Sequence, residues 1–420
     1  MDRRRFLSRA VGALGATGLG ACAAPRQRFE DRLGALRDPL AADCYGLTPG
    51  IAYLNHANIG TVPRLVGEAH RGYLEACETN PSHYMFGGVW DAAVQAAREG
   101  AARYLGCRAD EVVLNRNTTD GFNVLAAGLA LERGDEVLFS NLNHVGASVC
   151  WQHFAGQRGY VVRKFELPLP AVPDMNEAEL VDRHVKALGP RTRVLVLPHI
   201  DNLLGVRTPV ARIAAAARQR GVEFVLADGA QVAGMLPVDL ANLGVDAYCM
   251  SPHKWLQAPK GLGLLFLSRK IQPKVTPQVV TWGQHKWEGS VRRFEDYGTR
   301  DLPALLALGD AIAYQQAAGI ERSAMKRATL WRHARDRVAA EPNLIWRSPR
   351  DWNLGGVLFA IEVRGAAAEP LAEQAWERQR VVTRAFPAPG LNTLRVSPNA
   401  LNTTAELDRL FDVLARHTPH

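Results

Sequence analysis

VLADGAQVAG at residues 225–234 and LGVDAYCMSPHKWLQAPKGLGLLFL at residues 243–267 are each a short apolar run that ends in polar groups. That is how a buried parallel strand delivers chemistry at its carboxyl end. Residues 224–227 lead to Asp228, Gly229 and Gln231, and residues 247–250 lead to Ser251, His253 and Lys254. Two neighbouring strand ends would then hold a carboxylate and an amine over one crevice.

Such a pair suits pyridoxal phosphate. A lysine whose pKa is depressed by desolvation or a cationic neighbour can form a Schiff base with the cofactor aldehyde, and His253 stands beside it. A carboxylate facing the pyridine nitrogen keeps it protonated, so the ring can accept electrons from the substrate α-carbon. With ADGAQ and SPHKW in place, the chain resembles the fold-type-I pyridoxal-phosphate enzymes of aminotransferase class V, which include cysteine desulfurases, kynureninase and isopenicillin N epimerase. The resemblance implies that Asp228 is the pyridine partner, Gln231 the ring-hydroxyl partner, Ser251 and His253 neighbours of the cofactor, and Lys254 the Schiff-base lysine.

At 420 residues the chain can bury a large core, and length alone implies two or three domains. With 47% hydrophobic and 22% charged residues it is an ordinary globular protein. Of the formal charge of +8, Arg3, Arg4, Arg5 and Arg9 against Asp2 place +3 in the first ten residues. The remainder is mildly basic, without basic runs interleaved with aromatics, so no nucleic-acid partner is expected. Neither GxxxxGK[ST] nor a strand-linked GxGxxG occurs, which argues against a nucleotide-binding α/β protein.

MDRRRFLSRAVGALGATGLGACAAP at residues 1–25 reads as a targeting signal, with a basic start, a moderately apolar middle and a small-residue end. Its arginine pair before Phe6 and Leu7 looks like a twin-arginine motif, which exports proteins already folded around their cofactor. Leu19-Gly20-Ala21-Cys22 resembles a lipobox that would anchor the mature chain at Cys22, and Ala21-Cys22-Ala23 equally satisfies ordinary cleavage. The expected location is periplasmic or extracytoplasmic. Cys44, Cys77, Cys107, Cys150 and Cys249 remain, with no metal spacing.

A polar, proline-containing stretch at 26–49 precedes IAYLNHANIGTVPRLV, which reads as an extended segment turning into a helix; the resemblance implies that its Asn55, His56 and Ala57 enter the active-site mouth near the substrate, where an Asn- and Gly-rich turn is the other account. Helical spacing covers 66–78 and 91–105, with NPSHYMFGG a loop between them. RNTTDGFNVLAAGL places Thr118 and Thr119 at a helix start after a short strand, where free backbone N–H groups hold a phosphate. DEVLFS ends in NLNHVGASVCW, whose His144 the resemblance puts over the cofactor ring. RVLVL leads to PHIDNLLGVRTPV, and the resemblance carries over His199 and Asn202 as ring neighbours; Asp201 departs from the commoner serine or threonine. Alternating strands and helices from about 110 to 267 predict a mainly parallel sheet flanked by helices.

Further on, Gly298-Thr299-Arg300-Asp301 resembles the isopenicillin N epimerase-like branch. In the family this threonine reaches the cofactor phosphate of the other subunit, which implies a homodimer with shared sites; Asp301 reads better as a helix N-cap. LNTLRVSPNALNT resembles the segment whose arginine clamps the substrate α-carboxylate, so Arg395 is expected in that role. The expected plan is a signal at 1–22, an N-terminal segment at 23–60 packing with the small domain, a large cofactor-binding domain at 61–300 and a small α+β domain at 301–420.

Desulfurases of this family carry a nucleophilic cysteine shortly before that arginine, and TRAFPAPGLN has none. The resemblance therefore implies an exported aminotransferase or epimerase acting at the α-carbon of an amino-acid or peptide-like substrate. Its alternatives are a periplasmic siderophore (pyoverdine-like) tailoring enzyme, a lyase, or a non-catalytic cofactor-binding protein.

Overall fold

A computed structural model describes residues 18–388 and 390–417. The twin-arginine residues lie outside them, and the helix Gly18–Gly34 already includes the backbone of residues 18–22. Among the described residues no helix is long and apolar enough to cross a membrane.

Seven strands form the large sheet, in the order Val112–Asn115, Gly263–Leu267, Ala247–Met250, Phe224–Asp228, Thr192–Pro198, Glu136–Ser140 and Val161–Phe165. The last five run parallel to one another, and Gly263–Leu267 alone runs against its neighbours. Apart from the edge strand Val161–Phe165 the strands are almost wholly buried, because helices cover both faces. Alternate residues divide between two apolar layers: Leu195, Leu197, Val225 and Ala227 face one, Val194, Val196, Phe224 and Leu226 the other. The register pairs Pro198 with Asp228, Asp228 with Cys249 and Asn115 with Gly263, so the polar strand ends arrive along one edge.

The smaller sheet is antiparallel, in the order Arg384–Ala388, Leu391–Val396, Phe359–Val363 and Leu344–Trp346. Helices Ile320–Ala340, Ala368–Gln379 and Thr404–Ala415 complete its core. Ala52–Tyr53 pairs parallel with Val381–Val382, and Asn55 bridges to Ser397, which ties the end of the N-terminal segment to the strands around the smaller sheet.

Three boundaries differ from the sequence reading. The stretch read as polar begins as the helix Gly18–Gly34, whose Phe29 buries itself against Arg64–Thr79 in the large body. The helix Leu302–Ala318 is apolar on nearly every side and packs on Arg64–Thr79 and Asp91–Leu105, so the large body extends to Gly319 rather than to 300. NPSHYMFGG contains a helix, Pro81–Phe86, started by Asn80, whose side chain accepts from the His83 N–H, with proline at the first helical position. Asp301 is the expected cap, its Oδ1 accepting from the Ala304 N–H at 2.9 Å.

Candidate active site

The polar edge of the large sheet is organised by two helix starts. Asn117 caps Thr118–Gly128 by accepting from the Asp120 N–H at 2.8 Å. The Thr118 N–H donates to Ser251 Oγ at 3.2 Å, and the two hydroxyls lie 2.8 Å apart, joining this helix to the end of Ala247–Met250. Close approach requires glycine twice: a Cβ on Gly121 would lie 2.9 Å from Cys249 Sγ, and one on Gly263 would lie 2.3 Å from the Asn117 nitrogen. The second helix, Val145–Arg158, starts at His144, whose Nδ1 accepts from the Gly146 N–H at 3.1 Å. That bond leaves the proton of the neutral ring on Nε2. A Cβ on Gly146 would meet Thr119 Oγ1 at 2.5 Å, so the two starts nearly touch.

Between them the strand ends place Asp228, His144, Gln231, Asn202 and Lys254 around one cleft. Asp228 is buried; its Oδ1 accepts from the Ala230 N–H at 2.9 Å, and no described residue donates to Oδ2. Burial raises its pKa, against the pull of Ala230, Lys254 and His144. Loss of hydration lowers Lys254 to about 8, with Asp228 acting against the shift and Arg395 with it. His144 is held below its ordinary value, chiefly by loss of hydration.

Gln231 is partly committed: its Oε1 accepts from Trp255 Nε1 at 2.7 Å and its Nε2 donates to the Ala57 carbonyl at 3.1 Å. Its second amide N–H, and one lone pair of Oε1, remain for a ring hydroxyl. The Gly60 N–H donates to the His253 carbonyl at 2.9 Å, and a Cβ on Gly60 would lie 1.8 Å from the Lys254 carbonyl oxygen. The segment after Asn55 thus rests on the backbone that carries Lys254. His253 keeps a buried Nδ1 without a partner, and burial beside Lys254 lowers its pKa to about 4.

The opposite wall centres on Arg395. Its Nη1 donates to the Asn202 carbonyl and its Nη2 to Asn55 Oδ1, each at 3.0 Å, while Nε has no acceptor. Burial, together with Arg384 and against the pull of Asp201, lowers this guanidinium to about 10. Asp201, the departure from the family pattern, is a loop former: its carboxylate accepts from the Leu203, Leu204 and Val206 N–H groups and holds the turn that presents Asn202. Burial still pushes it up to about 6.

His56 is a correction. It is fully buried, edge-on to Tyr53 with ring centroids 4.9 Å apart and near Trp255, so its ring has no surface open to a substrate. Burial lowers it to about 3. His199 is also withdrawn from the cleft lining: its Nδ1 lies 2.7 Å from the Tyr248 hydroxyl, and its backbone N–H donates to the Asp228 carbonyl. Thr299 is exposed and lines no part of the cleft. Its loop is fixed by a buried cluster that sequence reasoning missed. Glu295 accepts from Arg98 at 2.7 and 2.8 Å, from Arg300 at 3.0 Å and from the Leu114 N–H at 2.9 Å. Gly60 and Trp255 were missed as well, although a glycine ending the Asn58-Ile59-Gly60 turn marks a possible close approach.

These groups fit pyridoxal phosphate. The helix start at Thr118 and Thr119, with Ser251, offers N–H and hydroxyl donors to a phosphate. Asp228 keeps one free oxygen for the pyridine nitrogen, and the exposed His144 ring leaves a face for stacking. Lys254 is the amine within the same cleft.

The aminotransferase class-V profile matches residues 52–410. The isopenicillin N epimerase of Streptomyces clavuligerus is 33% identical over 384 residues, covering 88% of this chain and 95% of that protein. A cysteine desulfurase of Klebsiella pneumoniae is 30% identical over 361 residues, covering 77% of this chain and 82% of its own. Among solved structures, a C-DES mutant with glycine covalently linked to its pyridoxal phosphate superposes with a TM-score of 0.80 at 24% identity, covering 88% of this chain and 97% of that one. The chain belongs to the aminotransferase class-V family of pyridoxal-phosphate-dependent enzymes, with the fold-type-I architecture.

Proposed function

We propose that this is an exported enzyme that acts at the α-carbon of an amino-acid or peptide-like amine, as an epimerase or aminotransferase. The observation that carries this reading is Arg395, with three N–H groups still free, held on the backbone of the cleft residue Asn202 and near enough to Lys254 to act on its charge, while Lys254 and Asp228 line the cleft itself. Bound there, pyridoxal phosphate supplies an electron sink for the charge left when a bond at the α-carbon breaks.

The remaining work falls to the chain. Arg395 clamps the α-carboxylate with two parallel hydrogen bonds, while Asn55 and the Asn202 carbonyl hold the guanidinium in place. Lys254 would hold the cofactor and then, as a neutral amine of lowered pKa, take the α-proton from its own face; transamination delivers that proton to another atom than the α-carbon, and epimerisation needs a second donor on the opposite face. Asp228 receives from the ring nitrogen the counter-charge that burial otherwise denies it. His144 would cover the ring, Gln231 would offer its free N–H to the ring hydroxyl, and Thr118, Thr119, Ser251 and His253 would hold the phosphate. Thr299 serves a second copy in a homodimer with shared sites. Export follows the twin-arginine route, with Cys22 as anchor or cleavage point, and brings the enzyme to exported or peptide-like amines, a secreted siderophore among them.

Sulfur transfer is the competing reading, since desulfurases are among the relatives. No cysteine follows Cys249, and burial pushes Cys107 up to about 12 and Cys150 up to about 11, far from a nucleophilic thiolate. The deciding experiment incubates the cofactor-loaded protein with single amines in deuterated buffer and follows substrate, product and cofactor by mass and chirality. Deuterium at the α-carbon with inversion identifies an epimerase, and an oxo product with aminated cofactor an aminotransferase. Alanine formed from cysteine at a rate above either would overturn the proposal.

A further inference from the structure

The small sheet carries a second cation beside Arg395. Arg384 is its direct partner in the antiparallel pairing of Arg384–Ala388 with Leu391–Val396, so both side chains leave the same face. Phe386, two residues along, shares that face. The guanidinium carbon of Arg395 lies 5.0 Å from its ring centroid and that of Arg384 5.9 Å. Like charges directly opposed across a sheet repel, and Arg384 does act to lower the Arg395 pKa.

Among the described residues no carboxylate pairs directly with either arginine, and the Asp201 carboxylate, held by its own loop, acts on Arg395 only at a distance. Arg395 is held by a carbonyl and an amide oxygen. Elsewhere in the same sheet the pattern is the reverse: Arg347 meets Glu362 at 2.7 Å on the neighbouring strand. An exposed arginine with no acidic partner, directly across the strand from the arginine read as the carboxylate clamp, is placed for a ligand with two anionic groups.

We infer that Arg384 recognises a second carboxylate of the substrate, which makes the substrate an amine with an acidic side chain or an acidic neighbouring residue. The inference rests on the reading of Arg395 as the α-carboxylate clamp. Arg395 takes the inner carboxylate and Arg384, nearer solvent, the outer one. Phe386 between them gives an apolar surface to the methylenes that separate the two. A substrate with one carboxylate leaves Arg384 unused.

The test needs no turnover. Glutarate and butyrate, which lack the amine, are titrated into the cofactor-loaded protein, with binding read by calorimetry and by the perturbation of the cofactor's absorption. Glutarate binds about tenfold tighter than butyrate, as one solvent-facing charge-assisted contact provides, and added salt narrows the ratio. Arg384→Gln brings the ratio close to one, and Arg384→Lys retains part of it. Equal affinities in the unaltered protein, or a ratio that Arg384→Gln does not move, would overturn the role of Arg384 and leave the clamp standing. If neither acid binds to fully loaded protein, or if Arg395→Gln leaves both affinities intact, the clamp itself fails and this inference with it.

Discussion

The two walls of the cleft are assembled differently. On the large-sheet side, each polar group sits within a few residues of a strand end or helix start, and its partners are mostly backbone: Ala230 for Asp228 and Gly146 for His144. On the small-sheet side Arg395 is held by Asn55, 340 positions away, and by Asn202, 193 positions away. The first wall is fixed by the register of a buried sheet, the second by three segments meeting. The first wall should therefore govern the chemical step, and the second the choice and binding of the substrate.

The largest expected effect lies on the first wall. Asp228→Asn preserves shape and the Ala230 contact but removes the anion facing the ring, so kcat should fall by about 10²- to 10³-fold with KM changed far less. A kcat within a few-fold of the unaltered enzyme, or a loss carried mainly by KM, would erase the distinction between the walls.

The next effect falls where the walls meet. Gly60 follows the segment that holds Asn55, yet it lies against the Lys254 backbone, with a hypothetical Cβ 1.8 Å from the carbonyl oxygen. Gly60→Ala must push one segment off the other, lowering stability by about 1–3 kcal/mol. Thermal unfolding reads that loss, and the Lys254–cofactor absorption should shift with it. A variant with an unchanged midpoint and spectrum would mean that the two segments are free to separate.

The same division governs how much could be read from sequence. ADGAQ, SPHKW and NTTD are legible because strand ends and helix starts place their chemistry within a few residues, and the structure brings Asp228, Gln231, Lys254 and His144 to one cleft. The interlocking partners were not legible: Trp255 on Gln231, Gly60 on Lys254, and Glu295 beneath the Thr299 loop depend on long-range packing. His56 was misassigned for the same reason, since sharing a polar turn with Asn55 does not decide which of the two faces the cleft. The helix Leu302–Ala318 escaped its domain because an evenly apolar helix carries no stripe to say which core it joins.

The smallest effect tests whether the walls communicate through charge. Lys254 attacks the cofactor aldehyde as the neutral amine, and its pKa is lowered to about 8. In cofactor-stripped protein the loading rate should rise about tenfold per pH unit as pH climbs toward about 8, then level off once the amine is mostly neutral. The charges on the two walls act in opposite directions: Asp228 favours the ammonium and Arg395 disfavours it. Asp228→Asn should move the inflection to lower pH, and Arg395→Gln should move it to higher pH, each by a fraction of a unit. Stopped-flow absorbance of loading across this range reads both shifts. Displacement by Asp228→Asn alone would confine the field at Lys254 to its own wall; opposite displacements would mean that the arginine that selects the substrate also tunes the amine that receives the cofactor.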